Sequence, residues 1–151
     1  MSPRPKLITP RGSLQEAIKI TAWKQIAETG APALSLRAIA RDLLITAPAI
    51  YNYYPSRDEL VTALIVDAYM DLGDTQLQAL QPVPEDNLQG RLMAVGMAYR
   101  AWALAYPERY QLIFGTPIPH YHAPDEITLP AAARSLVPLT QTSMSSPLRQ
   151  R

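Results

Sequence analysis

The sequence has no cysteine, only two histidines and a single phenylalanine among its 151 residues. Without thiols there can be no disulfide and no thiolate metal site, so the chain must hold itself together by packing alone. No uninterrupted apolar run approaches the roughly 18 residues of a membrane-spanning helix. A glycine-rich phosphate loop, a nucleophile elbow and a pair of catalytic carboxylates are all missing, so the chain reads as a non-enzyme without a cofactor. The start carries Arg4 and Lys6 but no apolar segment behind them. That argues against a secretion signal and places the protein in the cytoplasm. Neither strand-type alternation nor an internal repeat occurs, which leaves an all-α reading.

What is present fits a globular chain. Hydrophobic residues make up 48% and charged residues 18%, a balance that favours a packed core over disorder. The length allows one or two small domains. The net charge of +1 is unevenly spread: residues 1–60 hold eight basic and five acidic side chains, residues 61–151 six and eight. A basic front and an acidic back suit contact with DNA at one end.

Local signals divide the chain into helices. Residues 1–12, with three prolines, Arg4, Lys6 and Arg11, read as a flexible arm, either a solvated tail or a basic strap on phosphates. Ser13 and Glu16 form a capping box for a first helix that carries Leu14, Ala17, Ile18, Ala22 and Ile26 and stops at Gly30. Ser35 caps a short second helix with Leu36, Ile39, Ala40 and Leu43 inward and Arg37 and Arg41 outward. After Leu44 and Ile45, Thr46 caps a third helix that has Pro48 in its first turn and runs through Tyr54 to Pro55. A second capping box, Ser56 to Glu59, opens a long fourth helix on the stripe Leu60, Leu64, Ala68 and Leu72, reaching about Leu80. A fifth helix is expected from about Glu85 to Ala105, with Leu88, Leu92, Val95, Tyr99, Trp102 and Tyr106 on one face. A sixth should run from Pro107 to Gly115 and a seventh from Asp125 to about Leu139, with a disordered tail over 140–151.

Two short helices joined by about three residues suggest a helix-turn-helix, whose second member lies in the major groove. The stretch Thr46-Ala47-Pro48-Ala49-Ile50-Tyr51-Asn52-Tyr53-Tyr54 supports this. Only Ile50 and Tyr54, four apart, can serve a core. Small side chains permit close approach to base edges, an alanine can touch a thymine methyl, and Asn52 can pair with adenine. Tyrosine hydroxyls and the helix start donate to phosphates.

Leu36-Arg37-Ala38-Ile39-Ala40 and Thr46 to Leu60 together resemble the TetR family of repressors. Its signature is an apolar–Tyr–x–His–Phe run followed by a Ser-Lys-x-x-Leu helix start. Ile50-Tyr51-Asn52-Tyr53-Tyr54 and Ser56-Arg57-Asp58-Glu59-Leu60 fill those slots, with Tyr53 in place of His and Arg57 in place of Lys. The family usually has Gly in the turn where this chain has Leu44, which predicts a strained or reshaped turn. Tyr106-Pro107-Glu108-Arg109-Tyr110-Gln111-Leu112-Ile113-Phe114-Gly115 is similar to a C-terminal domain of one branch of that family.

The resemblance implies a helix-turn-helix DNA-binding domain over 13–58. A long fourth helix would join it to a helical ligand and dimerisation domain over 59–139. By resemblance, Arg37, Ala47 and Pro48 approach bases, while Ala49, Tyr51, Tyr53 and Arg57 hold phosphates, Tyr51 also lying near a base. Thr46 caps the helix and touches the backbone. The alternatives are a solvated charge for Arg37 and partial core packing for Tyr51. The partners implied are a palindromic operator in double-stranded DNA, a small-molecule inducer and a second copy of the chain. Family members usually continue through two long helices that pair between subunits, so the regulatory domain here reads as shortened. A remnant that no longer binds DNA is the competing reading.

Two further clusters stand out. Trp102, Tyr106, Tyr110 and Phe114 form either an ordinary core or the wall of an apolar inducer pocket. His120 and His122, with Asp125 and Glu126 nearby, are either loop histidines or part of a zinc site of hydrolase type. No third fixed ligand is evident, so no metal is assigned.

Overall fold

The computed structural model describes the backbone of residues 11–115 and 117–143 and the side chains of 14–115 and 117–142. Every regular element among them is helical. In order they are α1 (Arg11–Thr29), one 3-10 turn (Ala31–Ala33), α2 (Leu36–Asp42), α3 (Ala47–Tyr51), α4 (Arg57–Leu80), α5 (Leu88–Ala105), α6 (Pro107–Phe114), α7 (Asp125–Ser135) and α8 (Val137–Ser143). The chain divides after Leu60 into two compact units.

The first unit is a small helical cluster. α1 buries Ile18, Ala22 and Ile26 on one face, at the spacing of one helical turn. It ends where Gly30 takes φ 84°, a left-handed conformation that glycine adopts without a Cβ clash. The 3-10 turn that follows has no counterpart in the sequence reading, because the terse Ala-Pro-Ala carries no apolar period. α1 packs on this turn and on α2, and α2 packs on α3. Leu36, Ile39 and Ala40 of α2 and Ile50 of α3 are buried, with Leu34 and Tyr54 beside them. The arm expected at 1–12 lies outside the described residues except for 11 and 12, which already belong to α1. α1 therefore begins ahead of Ser13.

The caps read at Ser35, Thr46 and Ser56 are made, whereas the one read at Ser13 falls inside α1, which is already helical at Arg11. Ser35 Oγ accepts the Ala38 N–H at 3.2 Å and Thr46 Oγ1 accepts that of Ala49 at 3.3 Å. Ser56 Oγ accepts from Glu59 at 3.2 Å at the head of α4. Each bond satisfies an otherwise orphaned helix donor and stabilises its helix by about 1 kcal/mol.

In the second unit, Val61, Leu64, Ile65, Ala68, Leu72 and Leu80 of α4 are buried, together with Val95 and Trp102 of α5. α5 packs against α6 and α8, and α7 against α8. α4 and α7 approach closely at Gly73: a Cβ there would lie 3.2 Å from the Ser135 Cα. Three differences from the sequence reading appear here. α5 starts at Leu88 rather than Glu85, because Asn87 Oδ1 accepts the Gly90 N–H at 2.9 Å and so caps the helix. Of the expected face, Val95 and Trp102 are buried and Tyr99 is half-buried, whereas Leu88, Leu92 and Tyr106 are exposed and Arg91 is buried in addition. α5 is apolar on both sides, so its period alone does not choose the buried one. Finally, the expected seventh helix breaks at Leu136 into α7 and α8. Pro138 has no N–H to give to the turn before it. α8 continues to Ser143, into the stretch expected to be disordered, and residues 144–151 lie outside the described part.

Candidate nucleic-acid interface

The helix pair α2 and α3 is joined by Leu43, Leu44 and Ile45. The Leu44 N–H bonds the Arg41 carbonyl at 3.1 Å and the Ile45 N–H reaches back to Ala40 at 3.0 Å, which turns the chain sharply. The geometry places Leu44 at φ 56° with its side chain 90% exposed. A leucine in this left-handed region brings its Cβ against the backbone at a cost of about 1–2 kcal/mol. The exposed side chain recovers nothing by burial. The strain expected from a missing glycine is therefore present.

α3 itself is one and a half turns long, and its α-helical stretch ends at Tyr51, earlier than the expected Tyr54. The hydrogen bonds nevertheless continue: the N–H groups of Tyr53 and Tyr54 both reach the Ile50 carbonyl at 3.0 Å. This extra turn lets Tyr54 fold back into the core beside fully buried Ile50. Among the expected contact residues, Thr46, Pro48, Tyr51 and Asn52 are exposed, while Ala47, Ala49 and Tyr53 are half-buried. All seven lie on α3 or at its two ends. Arg37 stands exposed on α2, near the start of α3. A shallow concavity of about 480 Å³ is bordered by Ser35, Arg37, Ala40, Arg41, Ile45 and Ala47. Arg41 thereby joins Arg37 at this rim. Its outward position was legible from the helical spacing, but its nearness to Ala47 needed the turn.

Arg57 is placed differently. Its Nη1 donates to the Pro32 carbonyl at 3.0 Å, and its Nε lies 3.7 Å from Asp58. The side chain is only partly exposed and is anchored to the 3-10 turn, with four guanidinium donors left over.

The second unit holds the aromatic cluster. Tyr110 and Phe114 rings lie 5.2 Å apart, Tyr99 meets both at 6.2 Å, and Tyr69 stands edge-on to Phe114 at 6.0 Å. Trp102 and Tyr106 are tilted neighbours at 6.1 Å. Asp71 Oδ2 accepts from Trp102 Nε1 at 2.7 Å and from Arg109 Nη1 at 2.9 Å, and the Arg109 guanidinium lies 4.4 Å over the Tyr106 ring. Burial pushes the Tyr69 and Tyr99 phenols above their ordinary pKa, and at Tyr99 the hydrogen bond to Tyr110 adds to it.

A concavity of about 310 Å³ opens beside this cluster, lined by Ile65, Tyr69, Leu112, Ile113, Tyr121 and Leu129 among others. Its wall includes neither Trp102, Tyr106, Tyr110 nor Phe114. Tyr69 and Tyr121 were missed as lining residues. Tyr69 comes from α4 and Tyr121 from the loop that follows α6, and no local pattern marks either as a lining residue. The Tyr121 hydroxyl is 2.8 Å from Thr62 Oγ1. His120 and His122 are exposed, His120 at φ 63°. Among the described residues no three His, Asp or Glu side chains come together as a metal site would need, and no helix is long and apolar enough to cross a membrane.

Comparison with known proteins supplies a context for this geometry. Residues 20–64 match the family described as "Bacterial regulatory proteins, tetR family", and residues 92–147 match "Tetracyclin repressor-like, C-terminal domain". The chain is 45% identical over 124 residues to the HTH-type transcriptional regulator Rv1816 of Mycobacterium tuberculosis, covering 82% of this chain and 53% of the relative. The same figures hold for the HTH-type transcriptional regulator Mb1846 of Mycobacterium bovis. The chain thus spans about half the length of the curated relatives it matches. The crystal structure of SCO4313 superimposes with a TM-score of 0.77 at 44% identity, over 89% of this chain and 64% of that one. A protein of unknown function from Rhodococcus sp. RHA1 shares the fold, with a TM-score of 0.76 at 21% identity, over 93% of this chain and 69% of that one.

Proposed function

Because the chain belongs to the TetR family, we propose that it is a one-component, DNA-binding transcriptional regulator of the cytoplasm. In this reading it is a repressor that grips a palindromic operator through α3 and is released by a small, mostly apolar molecule. The observation that carries the DNA-binding reading is the outward face of α3. Thr46, Pro48, Tyr51 and Asn52 stand in solvent on a helix whose Ile50 is fully buried. A solvated helix has no packing use for a tyrosine, a proline and two short side chains. A major groove does, since small residues permit close approach and Asn52 can meet an adenine edge.

Ala47 and Pro48 would approach bases together with Arg37 from α2, while Ala49, Tyr51, Tyr53 and the free donors of Arg57 would hold phosphates. Two copies of the chain would place two such helices in successive major grooves, about 34–36 Å apart. The concavity beside α6, apolar apart from its tyrosine and threonine hydroxyls, has the size of a small-ligand site. Ligand bound there would act through α4, which contributes Ile65 and Tyr69 to its wall and carries Arg57 at its start.

The test is a titration of the purified chain against DNA from upstream of its own gene, at several salt concentrations. The reading expects a protected, two-fold symmetric site and an affinity that falls steeply as salt rises. Equal binding to that DNA and to an unrelated duplex would overturn it.

A further inference from the structure

The concavity of about 310 Å³ beside α6 lies at the lower end of the range that holds small ligands. Among its described lining residues none carries a charge. Leucine and isoleucine side chains supply most of the wall, and Tyr69 and Tyr121 add two aromatic rings. The polar side-chain atoms of these residues are three hydroxyl oxygens, those of Tyr69, Tyr121 and Thr128.

Two of the three hydroxyl protons are already committed to the backbone. Tyr69 donates to the Ile113 carbonyl at 3.4 Å. Thr128, only 7% exposed, donates to the Pro124 carbonyl at 3.1 Å. A hydroxyl has one proton and two lone pairs, so each of these groups has only lone pairs left for a bound molecule. Burial pushes the Tyr69 phenol above its ordinary pKa, which keeps its proton in place at neutral pH. The Tyr121 hydroxyl shares a 2.8 Å hydrogen bond with Thr62 Oγ1, in which either oxygen can be the donor. The backbone adds few donors. Pro117 has no N–H, and those of Gly115, Tyr121 and Thr128 are bonded to the carbonyls of Gln111, Ile118 and Pro124.

The wall is therefore apolar, uncharged and richer in acceptors than in donors. An anion would leave water and find no cation on it, and a cation would find no carboxylate. A hydrocarbon would leave the spare lone pairs of Tyr69 and Thr128 unmatched. We propose that this concavity takes an uncharged, largely apolar alcohol or phenol of one or two rings, whose hydroxyl donates to Tyr69 or Thr128. The same hydroxyl can accept the Tyr121 proton where Thr62 is the donor of that pair, and the ligand ring can pack on the tyrosine rings.

The inference rests on the ligand reading above and adds its chemistry. Its test leaves DNA out, so its failure is distinct from a failure to bind an operator. The probes are 2-naphthol, uncharged at neutral pH, 2-methylnaphthalene, in which a methyl of similar size replaces the hydroxyl, and 2-naphthoate, which brings a carboxylate. Equilibrium dialysis against the full chain reads their affinities. 2-Naphthol should bind at least about tenfold more tightly than either of the others. Tyr69→Phe combined with Thr128→Val removes both acceptors and keeps their shapes. This double variant should keep the helical circular dichroism and bring 2-naphthol and 2-methylnaphthalene to within about threefold of each other. Binding of 2-methylnaphthalene or 2-naphthoate by the parent chain as tight as that of 2-naphthol would overturn the proposal and leave the DNA-binding reading standing. A preference for 2-naphthol that survives in the double variant would overturn it by assigning the hydroxyl to other groups. Saturable binding of none of the three would overturn it together with the ligand site itself.

Discussion

Arg57 and Pro32 are 25 residues apart in sequence, yet Nη1 of the arginine donates to the proline carbonyl oxygen at 3.0 Å. The bond ties the head of α4 to the turn that follows α1, within the unit that carries α3. The slot therefore has a structural use beside the phosphate contact that the family resemblance implies. Among the described residues, the acidic neighbour of the Arg57 guanidinium is Asp58 at 3.7 Å.

Arg57→Ala should lower the stability of the first unit by about 1 kcal/mol, the usual net worth of a partly exposed hydrogen bond. It should also reduce the slope of log affinity against log salt by about one phosphate's share. Denaturant unfolding and salt-dependent DNA titration separate the two effects. An unchanged salt slope with reduced stability would confine Arg57 to the turn.

Leu44→Gly should stabilise the protein by about 0.5–1 kcal/mol. The gain is the left-handed strain relieved at φ 56°, less the extra chain entropy of glycine. No packing is lost, because the side chain is exposed. A shift of the urea midpoint to lower concentration would refute the strain argument.

Asp71→Ala should destabilise the second unit by about 1–2 kcal/mol. Trp102 is buried, and its indole N–H would lose the 2.7 Å acceptor that satisfies it. The Arg109 contribution is smaller because that pair is partly exposed. Asp71→Asn, which keeps an acceptor oxygen, should cost less. Equal losses for both variants would show that charge, not acceptance, matters at this position.

High pH offers a further check. Tyr69 and Tyr99 have folded pKa values raised above the ordinary 10.0 by burial. Their neutral forms favour the folded state, so their contribution is complete below pH 10 and is lost as pH rises through the raised values. An ultraviolet titration of the native chain should show a late-ionising fraction of its eight tyrosines that disappears in denaturant. All eight ionising together in the native chain would contradict the burial.

Much of this architecture was readable from local chemistry. Ser35, Thr46 and Ser56 marked helix starts because capping depends on a few adjacent atoms, and Gly30 marked a stop for the same reason. Ile50 and Tyr54 separated from Tyr51 and Asn52 by spacing alone. Where several elements compete, the sequence said less. α5 offered two apolar sides: Val95 and Trp102 of its expected face are buried, but which of their apolar neighbours stay outside, Leu88 and Leu92 among them, was set by packing against other helices. The hub at Asp71 joins residues 31 and 38 positions away, a pairing that no local period encodes. The break at Leu136 was within reach, since Pro138 was in plain view.

The most direct test of the central claim is the operator affinity of Tyr51→Ala in a salt-controlled titration. Tyr51 is exposed at the end of α3, so its removal leaves the buried Ile50 and Tyr54 untouched and the fold intact. Tyr51→Ala should keep the circular dichroism spectrum of the parent chain and bind at least about tenfold more weakly, a loss of about 1.4 kcal/mol. Undiminished affinity at matched salt would contradict it and remove α3 from the DNA interface.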